Sequence, residues 1–86
     1  MRLSWDEDAW SDYVEWQTED RKVLKRINTL LSDIARNGND GIGKPEALRH
    51  GFQGYWSRRI THAHRLIYRL EGEEVRIIAC RFHYGE

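Results

Sequence analysis

The stretch "YWSRRITHAHRLIYRLEGEEVRIIACRFH", residues 55–83, decides the fold of this chain. It holds three runs rich in aromatic and β-branched residues, and two short connections separate them. Such runs are typical of strands, and connections this short join neighbouring antiparallel strands into a meander. We therefore expect strands at residues 55–60, 64–70 and 74–83, with turns at "THA" and "EGE".

Upstream of the meander, residues 19–38 carry apolar side chains at helical spacing. This spacing predicts a helix with one buried face. Asp20 is placed to cap its start, and Asn37-Gly38 supplies the stop. The expected core stripe comprises Val23, Leu24, Ile27, Leu30, Leu31 and Ile34.

An earlier helix follows the alternating run "RLSW" at residues 2–5, which predicts an edge strand free to join the sheet. Asp6 is the candidate N-cap of this helix. One face of the helix gathers Trp10, Tyr13, Val14 and Gln17. Trp16 lies beside that face, and we expect either partial burial against the sheet or a role, with Trp10, in a partner surface.

The connection at residues 37–54 contains five of the seven glycines and the single proline. Within it, "PEAL" predicts one helical turn with Pro45 at its first position. Together the elements predict one α+β domain over residues 1–86. Its two N-terminal helices pack on an antiparallel sheet of three to four strands.

The composition argues against several classes of protein. No apolar run reaches the roughly 18 residues of a transmembrane helix, and the acidic start does not resemble a signal peptide. The single Cys80 lies in an apolar strand pattern, so we expect it to be buried in a protein of the reducing cytoplasm. His62 and His64 lack the further ligands of a metal site, so we expect no metal and no cofactor.

Charge is unevenly distributed although the net charge is zero. Residues 1–20 hold seven acids and one base, whereas residues 44–69 hold six bases and one acid. Five of those six bases are Arg, whose planar guanidinium suits phosphate oxygens. The cluster therefore indicates either a nucleic-acid site or a solvated sheet face, and the charge pattern alone does not decide between them.

Three residue types with complementary chemistry stand out: Glu46, Arg65 and His83. Taken singly, each also fits an ordinary role as a surface or ion-paired residue. Together they suit RNA transesterification, in which a base removes the 2′-hydroxyl proton, an acid protonates the 5′-oxygen and cations stabilise the phosphate. Trp56, Phe82 and Tyr84 are candidates for stacking on bases. These residue types support a nucleic-acid binder or a nuclease.

Four motifs occur in order along the chain: "W…W.DY..WQ..D" from Trp5 to Asp20, "GKPE.L.H" from Gly43 to His50, "G.WSRRIT..HRL.Y" from Gly54 to Tyr68, and "ACR.HY" from Ala79 to Tyr84. With them the chain resembles the YoeB family of bacterial toxins, within the RelE/ParE superfamily. The resemblance covers nearly the whole sequence and implies the RelE-like microbial ribonuclease fold.

Members of that family are ribosome-dependent mRNA interferases, so the resemblance implies an endoribonuclease that cuts mRNA in the ribosomal A site without a metal. It implies that Glu46 is the general base and His83 the general acid. Arg59 and Arg65 would stabilise the phosphate, and Tyr84 would orient the substrate or His83.

Three further cations, Lys44, Arg49 and Arg58, are expected to bind phosphate, and Arg49 stands where the family often has Lys. The implied partners are the 70S ribosome, mRNA and a YefM-type antitoxin, with operator DNA bound only by the toxin–antitoxin complex. A homodimer is left open. Two other functions are considered: a non-catalytic inhibitor of DNA gyrase like the ParE branch, and a module that only binds an antitoxin or DNA.

Overall fold

The computed structural model describes residues 1–82, in which two helices cover one face of a five-stranded sheet. The elements in chain order are β1 (Arg2–Trp5), α1 (Glu7–Glu19), α2 (Arg21–Asn37), β2 (Glu46–Ala47), β3 (Trp56–Arg59), β4 (Arg65–Glu71) and β5 (Glu74–Ala79). The α+β architecture with two N-terminal helices is confirmed. Neither of these helices is long and apolar enough to cross a membrane.

Helix α2 begins and ends where its local sequence predicts. The carboxylate of Asp20 accepts hydrogen bonds from the backbone N–H groups of Lys22 and Val23. At the other end, Gly38 has a φ of 63° and its N–H donates to the carbonyl of Ile34. Most of the predicted stripe is buried in the core, and Leu24 packs against it partly exposed. These signals are local, which is why the sequence predicts this helix well.

The sheet has the strand order β1-β5-β4-β3-β2, one or two strands more than expected. The antiparallel meander of β3, β4 and β5 is confirmed, but the whole sheet is mixed because β1 runs parallel to β5. The second difference is "PEAL", which forms the short strand β2 instead of a helical turn. Glu46 and Ala47 pair with Ser57 and Trp56, and this pairing extends the backbone after Pro45.

Strand β5 ends at Ala79, earlier than the predicted residue 83. The next carbonyl, that of Cys80, accepts a hydrogen bond from the indole N–H of Trp16, and Phe82 has a φ of 61°. A left-handed residue cannot continue a strand, so the chain bends here. Cys80 itself is buried as expected, and burial raises the pKa of its thiol to about 12.

Helix α1 does not bury the face that its aromatic residues share. Ala9 and Trp16 enter the core, whereas Trp10 is 49% exposed and contacts Trp5 and Tyr13 at the surface. The expectation that Trp16 is partly buried or part of a partner surface is therefore wrong. Its indole is enclosed because it bonds Cys80 and lies under the guanidinium of Arg81, 4.0 Å from the ring centre.

The sheet separates two apolar clusters. The larger one joins both helices to the side chains of β4 and β5 that point toward them, such as Leu66, Tyr68 and Ile77. The smaller one lies on the opposite face, where Leu48 packs on Ile67 and Ala79. The residues between α2 and β3 thus cover part of the sheet face that the helices leave open.

Candidate functional site

Strand register places three of the expected site residues on the sheet face that carries the smaller cluster. Directly opposed residues of an antiparallel pair point to the same side. Glu46 opposes Ser57, and Ser57 opposes Ile67, a member of the smaller cluster. Arg59 opposes Arg65. Arg59 lies two residues after Ser57 on β3, and Arg65 lies two residues before Ile67 on β4. Because side chains alternate along a strand, Glu46, Arg59 and Arg65 share this face.

An open groove of about 570 Å³ lies where β2, β3 and β4 meet the residues that follow β2. Four predicted residues line it: Glu46, Arg49, Arg59 and Arg65. Ala47, Leu48 and His50 complete the lining. One carboxylate and three guanidinium groups therefore border the same space, as a phosphate-binding and proton-accepting site requires.

Arg65 is held from several directions. It is 5% exposed, and its Nη1 donates to the carbonyls of Thr61, His62 and His64 at 2.8, 3.2 and 3.1 Å. These contacts fold the side chain against the turn that precedes β4. An Arg anchored this way is held in one position before any ligand arrives.

Arg59 is exposed at the end of β3, and both of its backbone polar groups are fixed. Its N–H donates to the carbonyl of Gly43 at 2.7 Å, and its carbonyl accepts from Nη2 of Arg26 at 3.3 Å. Gly43 has a φ of 82°, and a Cβ there would lie 2.8 Å from a methyl of Leu30. Glycine is therefore required for the chain to pass this close to α2 before it reaches Glu46.

Glu46 is exposed on β2, and its position depends on the anchor two residues later. Leu48 is buried in the smaller cluster, and its N–H donates to the carbonyl of Tyr55 at 2.9 Å. This bond continues the β2–β3 pairing beyond Ala47. The carboxylate at the mouth of the groove is thus carried by backbone tied to the sheet.

Arg58, expected to bind phosphate, lies on the other face of the sheet and is completely buried. It forms an ion pair with Asp33, and its Nη2 donates to the carbonyls of Gly38 and Asp40 at 2.7 and 2.9 Å. The bond from Arg58 lowers the pKa of Asp33 below its ordinary value of 3.8. The expectation fails because adjacent residues of one strand cannot both face the groove.

Two other expected residues also lie away from the groove. Lys44 is exposed with a φ of 52° and is not part of the lining. Trp56, a candidate for stacking on bases, packs against the core on the helix side, because it opposes Tyr68. Conversely, the sequence analysis overlooked His50, which lines the groove with a φ of 54°. Its presence in "GKPE.L.H" is the signal that could have identified it.

His83 and Tyr84 lie outside the described residues. The described chain ends at Phe82, which is exposed and is hydrogen bonded to the first residue of β4. The Phe82 carbonyl accepts from the N–H of Arg65 at 3.0 Å. The last described residue is therefore bonded to one of the residues that line the groove.

Comparisons with known proteins agree with these features. The family "YoeB-like toxin of bacterial type II toxin-antitoxin system" matches residues 5–84. "Toxin YoeB" of Escherichia coli strain K12 is 48% identical over 84 residues, covering 98% of this chain and 100% of the relative. The structure of a YoeB-YefM complex from Staphylococcus aureus is 42% identical with a TM-score of 0.92, and that of a YoeB dimer from the same organism is 44% identical with a TM-score of 0.93. Each alignment covers 98% of both chains.

Proposed function

This chain belongs to the YoeB-like toxins of bacterial type II toxin–antitoxin systems, and from that premise we propose that it is an endoribonuclease that cuts mRNA in the A site of the ribosome. The observation that carries the proposal is the groove, where the carboxylate of Glu46 and the guanidinium groups of Arg59 and Arg65 line one space. A carboxylate among cations is suited to accept a proton beside a phosphate.

The reaction is a transfer within the RNA. Glu46 takes the proton of a 2′-hydroxyl, and the oxygen attacks the adjacent phosphorus in line. The bond from phosphorus to the 5′-oxygen breaks, and His83 gives that oxygen a proton. The products are a 2′,3′-cyclic phosphate and a 5′-hydroxyl, so the proton lost to Glu46 is balanced by the one that His83 supplies.

Cations stabilise the charge that develops on the non-bridging oxygens during this attack. Arg65, buried and anchored, is the fixed contact, and Arg59 and Arg49 approach from the exposed sides of the groove. Tyr84 orients the substrate or His83. Arg58 takes no part, because its guanidinium is already bonded to Asp33 and to backbone carbonyls.

The proposed partners follow from the relatives and from charge. Neighbouring structures contain a YoeB-YefM complex and a YoeB dimer, so we expect a YefM-type antitoxin and a homodimer here. An acidic, flexible antitoxin segment can occupy the Arg-lined groove and block it. The complex, and not the toxin alone, would bind operator DNA. The site of action would be the cytoplasm, where the 70S ribosome holds its mRNA.

Cleavage of mRNA on programmed ribosomes tests the proposal. We expect wild type to cut bound mRNA and to leave the same mRNA uncut without ribosomes. Glu46→Gln should cut about 100-fold to 10,000-fold more slowly, because a general base typically contributes that much. Glu73→Gln is the matched control, since Glu73 is an exposed carboxylate in the turn between β4 and β5.

Equal cleavage by wild type and Glu46→Gln would show that Glu46 is not the base. A protein that cuts no mRNA on ribosomes but inhibits gyrase supercoiling would act like the ParE branch instead.

A further inference from the structure

Phe82 is held by two consecutive residues, His64 just before β4 and Arg65 at its start. Its N–H donates to Nδ1 of His64 at 2.8 Å, and its carbonyl accepts from the N–H of Arg65 at 3.0 Å. With both backbone polar groups bonded and a φ of 61°, Phe82 has a defined position relative to Arg65. These two bonds join the segment after β5 to the strand that carries a groove residue.

The imidazole of His64 is itself fixed in place. Its ring centre lies 5.0 Å from that of Trp16 in an edge contact and 5.4 Å from that of Phe82. Trp16 is buried and bonded to the carbonyl of Cys80, so one wall of this site is rigid. The backbone N–H of His64 donates to Oγ1 of Thr61 at 3.2 Å. Nδ1 is therefore presented as an acceptor in a set direction, with the ring proton on Nε2.

We propose that His64 is a positioning residue for the reaction: its Nδ1 fixes Phe82 and thereby the point from which His83, the next residue, starts. His83 is joined to the carbonyl carbon of Phe82, so fixing Phe82 fixes the point to which His83 is attached. The inference rests on the proposed function, since it assigns His64 a role in placing the proton donor of that reaction.

Two substitutions of His64 distinguish the effect of its accepting nitrogen from the effect of its aromatic ring. His64→Phe keeps an aromatic ring against Trp16 and Phe82 but removes the nitrogen that accepts from the Phe82 N–H. His64→Asn loses the ring but places its amide oxygen near the position of Nδ1. If the position of Phe82 depends on the hydrogen-bond acceptor, His64→Asn should retain the activity that His64→Phe loses. If His64 only packs, the order should be reversed.

Cleavage of ribosome-bound mRNA provides the first test. We expect His64→Phe to lower kcat by about 10-fold to 100-fold with KM unchanged, because a small misplacement of a catalytic group costs about that much. His64→Asn should stay within a few-fold of wild type. Ile34→Val, which loosens the helical core elsewhere, controls for lost stability and should keep the wild-type kcat.

A double substitution distinguishes positioning from a separate contribution. In a His83→Ala background, His64→Phe should cause no further loss, since the group that it positions is already absent. Full additivity of the two losses would overturn the proposal, as would a wild-type kcat in His64→Phe.

The second test does not depend on cleavage. In ¹⁵N-labelled wild type, the hydrogen bond should appear as a coupling across it between the Phe82 amide nitrogen and His64 Nδ1. The coupling should be absent in His64→Phe. If wild type lacks it, the inference is wrong even where the toxin cuts RNA. If the coupling is present but wild type cuts no RNA on ribosomes, the proposed function fails and the positioning role of His64 in that reaction fails with it.

Discussion

At the scale of the residue, neighbouring arginines in β3 take opposite roles. Arg58 points toward the helices, where it joins Asp33 to the backbone after α2, and Arg59 points into the groove. The sequence shows two adjacent cations in a predicted strand, and strict alternation would already have separated them. Which of the two faces the core depends on the register with β4, where Arg58 opposes Leu66.

Substituting each arginine by methionine should reveal this division. Arg58→Met should lower the free energy of unfolding by about 3 kcal/mol, because it leaves Asp33 and the carbonyls of Gly38 and Asp40 without their partner. Arg59→Met should leave the unfolding free energy nearly unchanged and reduce cleavage. Chemical denaturation and the ribosome assay measure the two effects, and similar stabilities for both variants would contradict the assignment.

The ion pair also predicts how stability depends on pH. The pKa of Asp33 is lower in the folded protein than in the unfolded chain, so the unfolded chain takes up the proton first as pH falls. The contribution of Asp33 is therefore complete well above pH 3.8 and is lost as pH falls through 3.8 toward the folded pKa.

Asp33→Asn removes this titration and leaves the other carboxylates in place. Between pH 5 and pH 3, the unfolding free energy of wild type should therefore fall more steeply than that of the variant. The difference between the two slopes should correspond to at most about one proton taken up on unfolding. Parallel slopes in denaturation experiments would argue against the lowered pKa.

At the scale of the element, local signals are predictable and distant pairings are not. The cap at Asp20 and the stop at Gly38 depend on contacts within a few residues, so the sequence predicts α2 correctly. The strand at Glu46–Ala47 exists because it pairs with β3, some ten residues away, and β1 pairs in parallel with β5 at the far end of the chain. Such choices are set by tertiary packing, which local patterns do not report.

Strand β2 has only two residues, so we expect its position to depend on the burial of Leu48, the residue that follows it. Leu48 is 6% exposed and packs on Ile67 and Ala79. Leu48→Ala should lower the free energy of unfolding by about 2 kcal/mol, and cleavage should fall further because Glu46 loses its fixed position. Thermal denaturation and the ribosome assay report the two effects. Ile78→Ala, in the same cluster but on β5, is the control, and an equal loss of activity in both would show that the anchor of β2 is not special.

At the scale of the whole molecule, acids of the N-terminal region form ion pairs with arginines that do not line the groove. Three acids of the N-terminal region pair with arginines of β5 and the residues after it: Asp6 pairs with Arg76, and Asp12 and Glu19 pair with Arg81. The hydrogen bonds from Arg81 to Glu19 raise the pKa of Arg81 further. The sequence locates the two charged regions correctly, but it does not indicate that the acidic one binds the end of the chain.

The parallel pairing of β1 with β5 also sets an order of events during synthesis. Arg2 pairs with Glu74, so the first strand is made about 70 residues before its partner exists. At about 5 to 20 residues per second, the nascent chain waits roughly 4 to 14 s with β1 unpaired. The Phe82 contacts with His64 and Arg65 form later still. Protease digestion of stalled nascent chains should show resistance only once residues 74–79 have left the ribosome, and resistance at shorter lengths would contradict this order. The chain would then complete its fold only after that part of its message has been read.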